Sequence, residues 1–273
     1  MVIKTLVENT ALSSKYGCKH GLSFYIETSE HKILFDLGAN ELFLKNAEKL
    51  NVDISTIDTV IISHGHHDHG GALKLFLQNN TKAKIYLREN AFEKYTTKVL
   101  GLHFDVGLDS TLKEHPQIFL TKERSVIDEE LQLFSDIRTH DFQSVSNHSL
   151  YVKKGNMYLS DDFSHEQNLI VKDGQKYVLI AGCSHNGIVN IQRQAEIIIG
   201  RKIDVCIGGF HLYNPVSKKQ ESPKLVMDIA NELKQEKTVY YTCHCTGKNA
   251  YHILKEILSE QIGYLSAGCV LNL

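Results

Sequence analysis

The sequence that decides the fold is Thr59-Val60-Ile61-Ile62-Ser63-His64-Gly65-His66-His67-Asp68-His69-Gly70-Gly71. Five side chains that bind divalent metals fall within six positions of it, and glycines surround them. The β-branched run before the histidines is typical of a strand buried on both faces. After them, Leu73, Phe76 and Leu77 have helical spacing. The pattern predicts a turn at the carboxyl end of a central strand, ahead of a helix, where open α/β sheets have their sites.

The spacing of the side chains in this turn indicates two metal positions. In an extended chain His64 and His66 point the same way and can share one ion. Asp68 and His69 follow where the chain turns, so they can face a second ion. His67 is out of phase with this pattern and is predicted to point away. Imidazole with one carboxylate suits zinc, and iron or manganese in mixed sites. A solvated histidine-rich loop is the alternative, but it would need neither a buried strand before it nor paired glycines after it.

A strand, a glycine-containing turn with a histidine, and a helix follow one another four times along the chain. The histidines are those of the 64–69 loop, His185, His211 and His244. Because such strand ends meet at one edge of an α/β sheet, we expect these histidines to be neighbours in space. A tetrahedral zinc site with one open position needs a third protein ligand, and His185 is the predicted one for the first ion.

Two further local patterns predict regular structure. Asp173-Gly174 between two apolar runs favours a tight hairpin turn. The residues from Lys248 to Leu258 predict a final helix that follows the last central strand.

The composition bounds the class of protein. The chain has 273 residues, of which 42% are hydrophobic and 23% charged, with a net charge of −2. This length allows one large α/β domain or two small ones. No repeat or low-complexity linker divides the chain, so we predict a single domain over residues 1–273. Residues about 90–150 are predicted to form a covering segment over the site plus one or two strands.

Several partners and locations are not expected. No basic stripe marks a nucleic-acid surface, and no apolar run approaches the length of a membrane span. The six cysteines are spread along the chain, and the first residues lack the pattern of an export signal. These features predict reduced thiols and a cytoplasmic protein.

The pattern His64-x-His66-x-Asp68-His69, in its strand–loop–helix context, resembles the signature of the metallo-β-lactamase superfamily. The resemblance implies an α/β fold, a four-layer αββα sandwich, with a site for one or two metal ions at the sheet edge. It also implies that His244 binds the second ion. Diiron flavoprotein members have glutamate at the position of His66, so this histidine favours the hydrolase-like members.

Some positions depart from the superfamily pattern. Cys183 stands where many members have a metal-binding aspartate or cysteine, and it is either a thiolate ligand or a packed thiol. The usual histidine before the hairpin has two candidates, His165 and Glu166. The resemblance implies that His211 is a general acid or oxyanion donor beside the metals, as in some phosphodiesterases. The alternative for His211 is a hydrogen bond to a ligand.

Four more side chains are candidates near the site. His20 and Asp36 are expected close to it, with Asp36 orienting a metal-binding imidazole. Cys243 and Cys245 flank His244 as in a zinc knuckle, but no second cysteine pair has zinc-finger spacing. We therefore interpret these two cysteines as packing at a strand end.

Further motifs resemble one branch of the superfamily, which includes the archaeal synthase of 7,8-dihydropterin-6-methyl-4-(β-D-ribofuranosyl)aminobenzene 5′-phosphate. The motifs are His-Gly-Leu-Ser at 20–23, Leu-Phe-Asp-x-Gly at 34–38, Gly-Cys-Ser-His-x-Gly-Ile-x-Asn-Ile at 182–191, Gly-Gly-Phe-His-Leu at 208–212 and His-Cys-Thr-Gly at 244–247.

We therefore predict a metal-dependent hydrolase of a small anionic substrate, such as a phosphoester. One or two divalent ions, zinc before iron or manganese, would lower the pKa of bound water to about 7 and so give hydroxide at neutral pH. The predicted ligands are His64, His66 and His185 for one ion and Asp68, His69 and His244 for the other, with Asp68 also as base and His211 as acid.

Two alternatives remain open. One is a transferase that joins a dihydropterin pyrophosphate to an aminobenzene ribotide, because the departing group is again a phosphate anion. The other is a non-catalytic sensor that binds a metal and a metabolite. The sequence leaves the substrate, the number of ions and the formation of a homo-oligomer undecided.

Overall fold

The computed structural model describes residues 1–273, which form twenty strands and six α-helices. The strands are β1 Val2–Val7, β2 Ser23–Glu27, β3 Lys32–Phe35, β4 Thr59–Ile61, β5 Lys84–Arg88, β6 Lys94–Val99, β7 Leu102–Asp105, β8 Ile118–Thr121, β9 Arg124–Val126, β10 Leu131–Phe134, β11 Leu150–Lys154, β12 Met157–Ser160, β13 Asn168–Asp173, β14 Lys176–Ile180, β15 Val205–Gly208, β16 Tyr213–Asn214, β17 Lys219–Gln220, β18 Val239–Thr242, β19 Ile262–Tyr264 and β20 Val270–Asn272. The helices are α1 Leu42–Lys49, α2 His67–Gly70, α3 Leu73–Asn79, α4 Ile188–Ile199, α5 Pro223–Lys234 and α6 Lys248–Leu258.

Two seven-stranded sheets make up the centre of the molecule. The strand order is β20-β1-β2-β3-β4-β5-β8 in the first sheet and β19-β18-β15-β14-β13-β10-β9 in the second. In the first sheet β3, β4, β5 and β8 run parallel, and in the second β14, β15, β18 and β19 run parallel. The turns that follow the parallel strands of each sheet therefore leave from the same edge of that sheet.

The buried side chains define four layers. Neighbouring residues of one strand belong to different hydrophobic clusters, because successive side chains point to opposite faces. Val60 packs in the cluster with Phe43 of α1 and Phe76 of α3, whereas Ile61 packs in the cluster between the sheets. A third cluster lies between the second sheet and α4, α5 and α6. This order of helices, two sheets and helices confirms the predicted αββα sandwich.

The local predictions are confirmed by the described strands and helices. The hairpin of β13 and β14 turns at Gly174, whose φ of +60° favours glycine. The last helix, α6, has the predicted bounds. None of the helices has both the length and the hydrophobicity that crossing a membrane requires.

Residues 90–150 contain more sheet than the sequence predicted, with five strands in place of one or two. Strand β8 joins the first sheet and β9 and β10 join the second, while β6 and β7 pair with β11 and β12 in a separate four-stranded sheet. Several of these strands have little buried surface. In β7, for example, Leu102 and Phe104 are exposed, so apolar alternation does not mark an inner face.

The central cluster gives a test of the layered core. Ile207 is fully buried between the sheets, whereas Ile197 of α4 is 72% exposed. We expect Ile207→Ala to lower the free energy of unfolding by about 2–5 kcal/mol, because the lost methyl groups leave a cavity. The matched variant Ile197→Ala should change it by no more than about 0.5 kcal/mol. Urea unfolding monitored by circular dichroism measures both, and equal losses would contradict this arrangement of the layers.

Candidate metal centre

The first histidines of the site lie in the turn between β4 and α2. His64 and His69 are fully buried and His66 is nearly so, whereas His67 is exposed, as predicted. The turn approaches the neighbouring backbone closely at Gly65, where a Cβ atom would lie 2.4 Å from the carbonyl oxygen of Ala91. Only glycine therefore lets the turn hold its histidines at this place.

Asp68, His69 and His244 form a tight group of potential ligand atoms. The Nε2 atoms of His69 and His244 are 3.2 Å apart, although 175 residues separate them in the sequence. The Oδ2 atom of Asp68 lies 3.3 Å from Nε2 of His244 and 3.6 Å from Nε2 of His69. The structure thus brings together the three residues predicted for the second ion.

His64, His66 and His185 form the second group. The ring centroid of His66 lies 4.6 Å from that of His64 and 5.1 Å from that of His185, and the latter two are 5.0 Å apart. The ligand atoms of His64 and His185 lie within 4.8 Å of each other and of the Cys183 thiol. His66 is turned towards another neighbour, because its Nε2 atom lies 3.9 Å from Oδ2 of Asp161. All three Nε2 atoms are buried and have no hydrogen-bond partner.

The opposite ring nitrogen is held in four of the five histidines. Hydrogen bonds at Nδ1 connect His69 to Asp36 at 2.6 Å, His64 to Ser63 at 2.8 Å, His244 to Asn9 at 3.0 Å and His185 to Asn147 at 3.1 Å. A ring that donates its Nδ1 proton to a carboxylate or an amide oxygen leaves the Nε2 lone pair free for a cation. Asp36 therefore has the orienting position that was predicted for it.

Of the two candidates for the histidine before the hairpin, His165 lies beside the first group, with its ring centroid 5.2 Å from that of His66. His165 accepts a hydrogen bond from the Gly65 N–H at Nδ1, 2.9 Å away, and its Nε2 lies 3.1 Å from Asp161. Glu166 accepts the backbone N–H of His185 at 2.7 Å. Glu166 is therefore occupied with holding the turn at His185. The ligand atoms of His165, His66 and Asp161 lie within 4.8 Å of one another, so a metal-binding role of His165 stays a prediction.

The cysteines have two different environments. Cys243 packs in the cluster between the sheets, as expected. Cys183 and Cys245 instead line the cavity at the site, and the interpretation of Cys245 as packing stays a prediction. The Cys183 Sγ atom lies 3.2 Å from Nε2 of His69, between the two groups of histidines.

His20 and His211 complete the polar wall of the cavity. The Nε2 atom of His20 lies 3.0 Å from Oδ2 of Asp68, and its ring stacks on that of His244 at 4.8 Å. The His211 ring lies 4.1 Å from the His185 ring, and both of its nitrogens are buried without a partner. The cavity has a volume of about 550 Å³, including space open to solvent.

The charges of the site suit a cation. Burial and neighbouring imidazoles lower the pKa of His64 and His185 well below the usual value, so both rings are neutral at pH 7. Burial opposes ionisation of Asp68, but His69, His20 and His244 hold the pKa of that carboxyl well below its usual range. Burial likewise disfavours the charged form of His69, but the charges of Asp36 and Asp68 raise its pKa to about 9. Metal binding at His69 must therefore displace a proton.

Four non-glycine residues of the site have left-handed backbone conformations. Their φ angles are +59° at Asp36, +61° at Ser184, +51° at His211 and +51° at His244. Such conformations cost about 1–3 kcal/mol each and persist where surrounding contacts enforce them, often at functional sites.

Asn9 and Asn147 contribute to the site but were not recognised from the sequence. Each is one amide in a segment without metal-ligand spacing, and each lies far along the chain from the histidine that it contacts. Ser63 could have been recognised from the sequence, because it directly precedes His64.

The sandwich and its histidine-rich sheet edge define a class of metal-binding α/β proteins. The family model of the metallo-β-lactamase superfamily matches residues 16–189, and the chain belongs to this superfamily. It is 29% identical to the 7,8-dihydropterin-6-methyl-4-(β-D-ribofuranosyl)-aminobenzene-5′-phosphate synthase of Methanocaldococcus jannaschii, over 99% of this chain and 96% of that one.

Two further proteins are similar over the whole length. An uncharacterised protein of Methanocaldococcus jannaschii is 28% identical over 97% of this chain and 98% of its own. The crystal structure of a metal-dependent hydrolase of the β-lactamase superfamily, 27% identical, superposes with a TM-score of 0.83 and covers 100% of this chain and 99% of that one.

The contact between Asp36 and His69 gives a test of the site. We expect Asp36→Asn to weaken divalent-metal binding by about 10–100-fold, because the amide no longer fixes the ring and its proton. Asp58→Asn is the matched control, since Asp58 holds the ring of His31, 3.0 Å away and outside the cavity. Competition with a chromophoric chelator measures both affinities. Equal affinities for the two variants would contradict the role of Asp36.

Proposed function

We propose that this protein is a metal-dependent hydrolase of a small anionic substrate, such as a phosphoester, and that it uses two divalent ions, zinc before iron or manganese. The observation that carries the proposal is the set of buried Nε2 atoms without partners beside a tight group of one carboxylate and two imidazoles. These residues fit cations, because a buried polar atom without a partner is costly and neutral imidazoles with a carboxylate are ligands that zinc prefers. His64, His66 and His185 would hold one ion, and Asp68, His69 and His244 the other.

Bound divalent ions would supply hydroxide at neutral pH and polarise the scissile bond. The residues of the chain orient the ligands and move protons. Asp36 accepts the Nδ1 proton of His69 and so directs Nε2 towards His244 and Cys183. Asp68 is ionised and accepts a proton during the reaction, and His20, 3.0 Å from its Oδ2 atom, is placed to share that proton.

His211 is assigned as the acid that protonates the leaving oxygen. Its ring lines the cavity beside His185, and neither ring nitrogen has a hydrogen-bond partner. A nitrogen without a partner inside the protein is free to donate to a substrate oxygen. General acids of this kind contribute about 10²–10⁴-fold to a rate.

The cavity limits the substrate class. Two divalent ions would bring more positive charge than the single carboxylate among the ligands offsets, so an anionic substrate fits.

The cavity is also lined by Thr97, Val106 and Ser149. These side chains belong to residues 90–150, which we propose cover the site as part of one domain. The cytoplasmic location stays a prediction.

The direct test is turnover of bis(4-nitrophenyl) phosphate by protein loaded with zinc or manganese. We expect His66→Ala to lower kcat/KM by more than about 100-fold. Loss of a residue that only supports a metal ligand costs about 10–100-fold, and loss of a ligand should cost more. His252→Ala, an exposed histidine of α6, should leave the rate unchanged. Circular dichroism shows whether each variant folds. Undiminished turnover by folded His66→Ala would contradict the proposal.

A transferase is the second candidate, and the similarity to the dihydropterin synthase over nearly the whole chain favours it. In this reaction the same ions would bind the pyrophosphate of an activated pterin while an arylamine attacks the carbon that carries it. The departing group is again a phosphate anion, so the metal centre described above suits both reactions.

Product analysis separates the two functions. We expect the metal-loaded protein, given a dihydropterin pyrophosphate and an aminobenzene ribotide, to release pyrophosphate and to form the coupled product if it is a transferase. Chromatography with mass detection identifies the products. Hydroxymethylpterin as the only pterin product would exclude the transferase and leave hydrolysis.

A further inference from the structure

Three residues that line the cavity form a further cluster, in which His211 and Cys245 lie outside the two ligand groups and Cys183 lies between those groups. They are Cys183, His211 and Cys245, all buried, and their ligand atoms lie within 4.8 Å of one another. Cys245 has no part in the proposed reaction. Two thiols and an imidazole are a donor set that binds soft or borderline metal ions.

The topology of the second sheet brings these residues together. Strands β14, β15 and β18 are parallel neighbours. Cys183, His211 and Cys245 each follow the end of one of these strands by three residues. A Cβ atom at Gly209 would lie 2.5 Å from the Cys245 Sγ atom, so glycine is what allows the backbone to pass beneath the thiol. The three side chains therefore meet through the regular geometry of the sheet edge.

His211 supplies a second, independent observation that points to a ligand. His211 is 7% exposed, and neither its Nδ1 nor its Nε2 atom has a hydrogen-bond partner. A buried imidazole without partners loses the hydrogen bonds that it makes in water, at a cost of about 1–3 kcal/mol. A cation held by one ring nitrogen would remove part of that cost.

We propose that Cys183, His211 and Cys245 form a third metal site, which takes a thiophilic ion such as zinc, cadmium or cobalt(II) and is distinct from the two ions of the proposed reaction. Its ligand set, two cysteines and one histidine, leaves a fourth position open to the cavity. Bond lengths of about 2.0–2.3 Å place ligand atoms in a tetrahedral site roughly 3.5–3.8 Å apart. The observed span therefore requires side-chain movements of only about 1 Å.

The consequence for activity rests on the proposed function, whereas binding of the ion does not. A metal ion on His211 occupies the nitrogen that would protonate the leaving group. Excess zinc, beyond two ions per chain, should therefore inhibit turnover.

The experiment titrates metal-free protein with cobalt(II) under a phosphine reductant. The native protein should bind three ions per chain by elemental analysis, and a thiolate-to-cobalt absorption should grow with the third equivalent. Cys245→Ala should bind the third ion more than about 100-fold more weakly, since it loses a ligand rather than a supporting residue, and keep the first two. Cys206→Ala, a buried cysteine of β15 outside the cluster, should behave as the native protein.

A measurement on the native protein guards against a variant that does not fold. The third equivalent of zinc should protect Cys245 from alkylation, as mapped by peptide mass spectrometry, while the first two leave it reactive. Protection by the first two equivalents, or identical titrations of the native protein and Cys245→Ala, would overturn the third site. Absence of turnover with two ions bound would instead count against the proposed function alone.

Discussion

The structure depends on one costly feature, the burial of several imidazole nitrogens that have no partner. Nε2 of His64, His66 and His185 lies inside the protein, yet nothing donates to or accepts from it. Each such atom costs about 1–3 kcal/mol relative to a paired one. Hydrogen bonds from Nδ1 to a carboxylate or an amide hold the rings of His69, His185 and His244, and so prevent these rings from turning away. An ion that occupies these positions recovers the cost, so metal binding and folding are linked.

The site joins the edges of two sheets that pack against each other through a hydrophobic cluster. Asp68 and His69 follow β4 of the first sheet, whereas His185, His211 and His244 follow strands of the second. Side chains such as Ile61 and Ile207 in the central cluster set how these two edges face each other. Asp36, which follows β3 of the first sheet, and His244, which follows β18 of the second, both have left-handed backbone conformations. Precise placement of the ligands is therefore a property of the whole sandwich rather than of one loop.

The sequence predicted those parts of the molecule that local patterns encode. The run before Ser63 and the hairpin at Gly174 have clear periodicity or turn chemistry, and both formed as expected. Strand β7 did not have such a signal, because its apolar side chains are exposed. The spacing of His64, His66, Asp68 and His69 indicated ligands, and the structure brings them together.

The remaining parts of the site depend on which groups face each other across the fold. Glu166 was one of two open candidates for a ligand, and backbone N–H groups of the turn at His185 take its oxygens, a direction that no local pattern encodes. Asn147 contacts the ring of His185 from 38 residues away, and a single amide has no periodicity to mark it. Cys245 was interpreted as packing because its neighbours across β14 and β15 are not visible in the sequence.

The most direct measurement of the central claim is anomalous X-ray diffraction at the zinc edge from crystals of protein loaded with two equivalents of zinc. The account predicts one peak bounded by Nε2 of His64, His66 and His185, and a second bounded by Asp68, His69 and His244. Peaks at surface histidines only, with these six side chains free of metal, would contradict it.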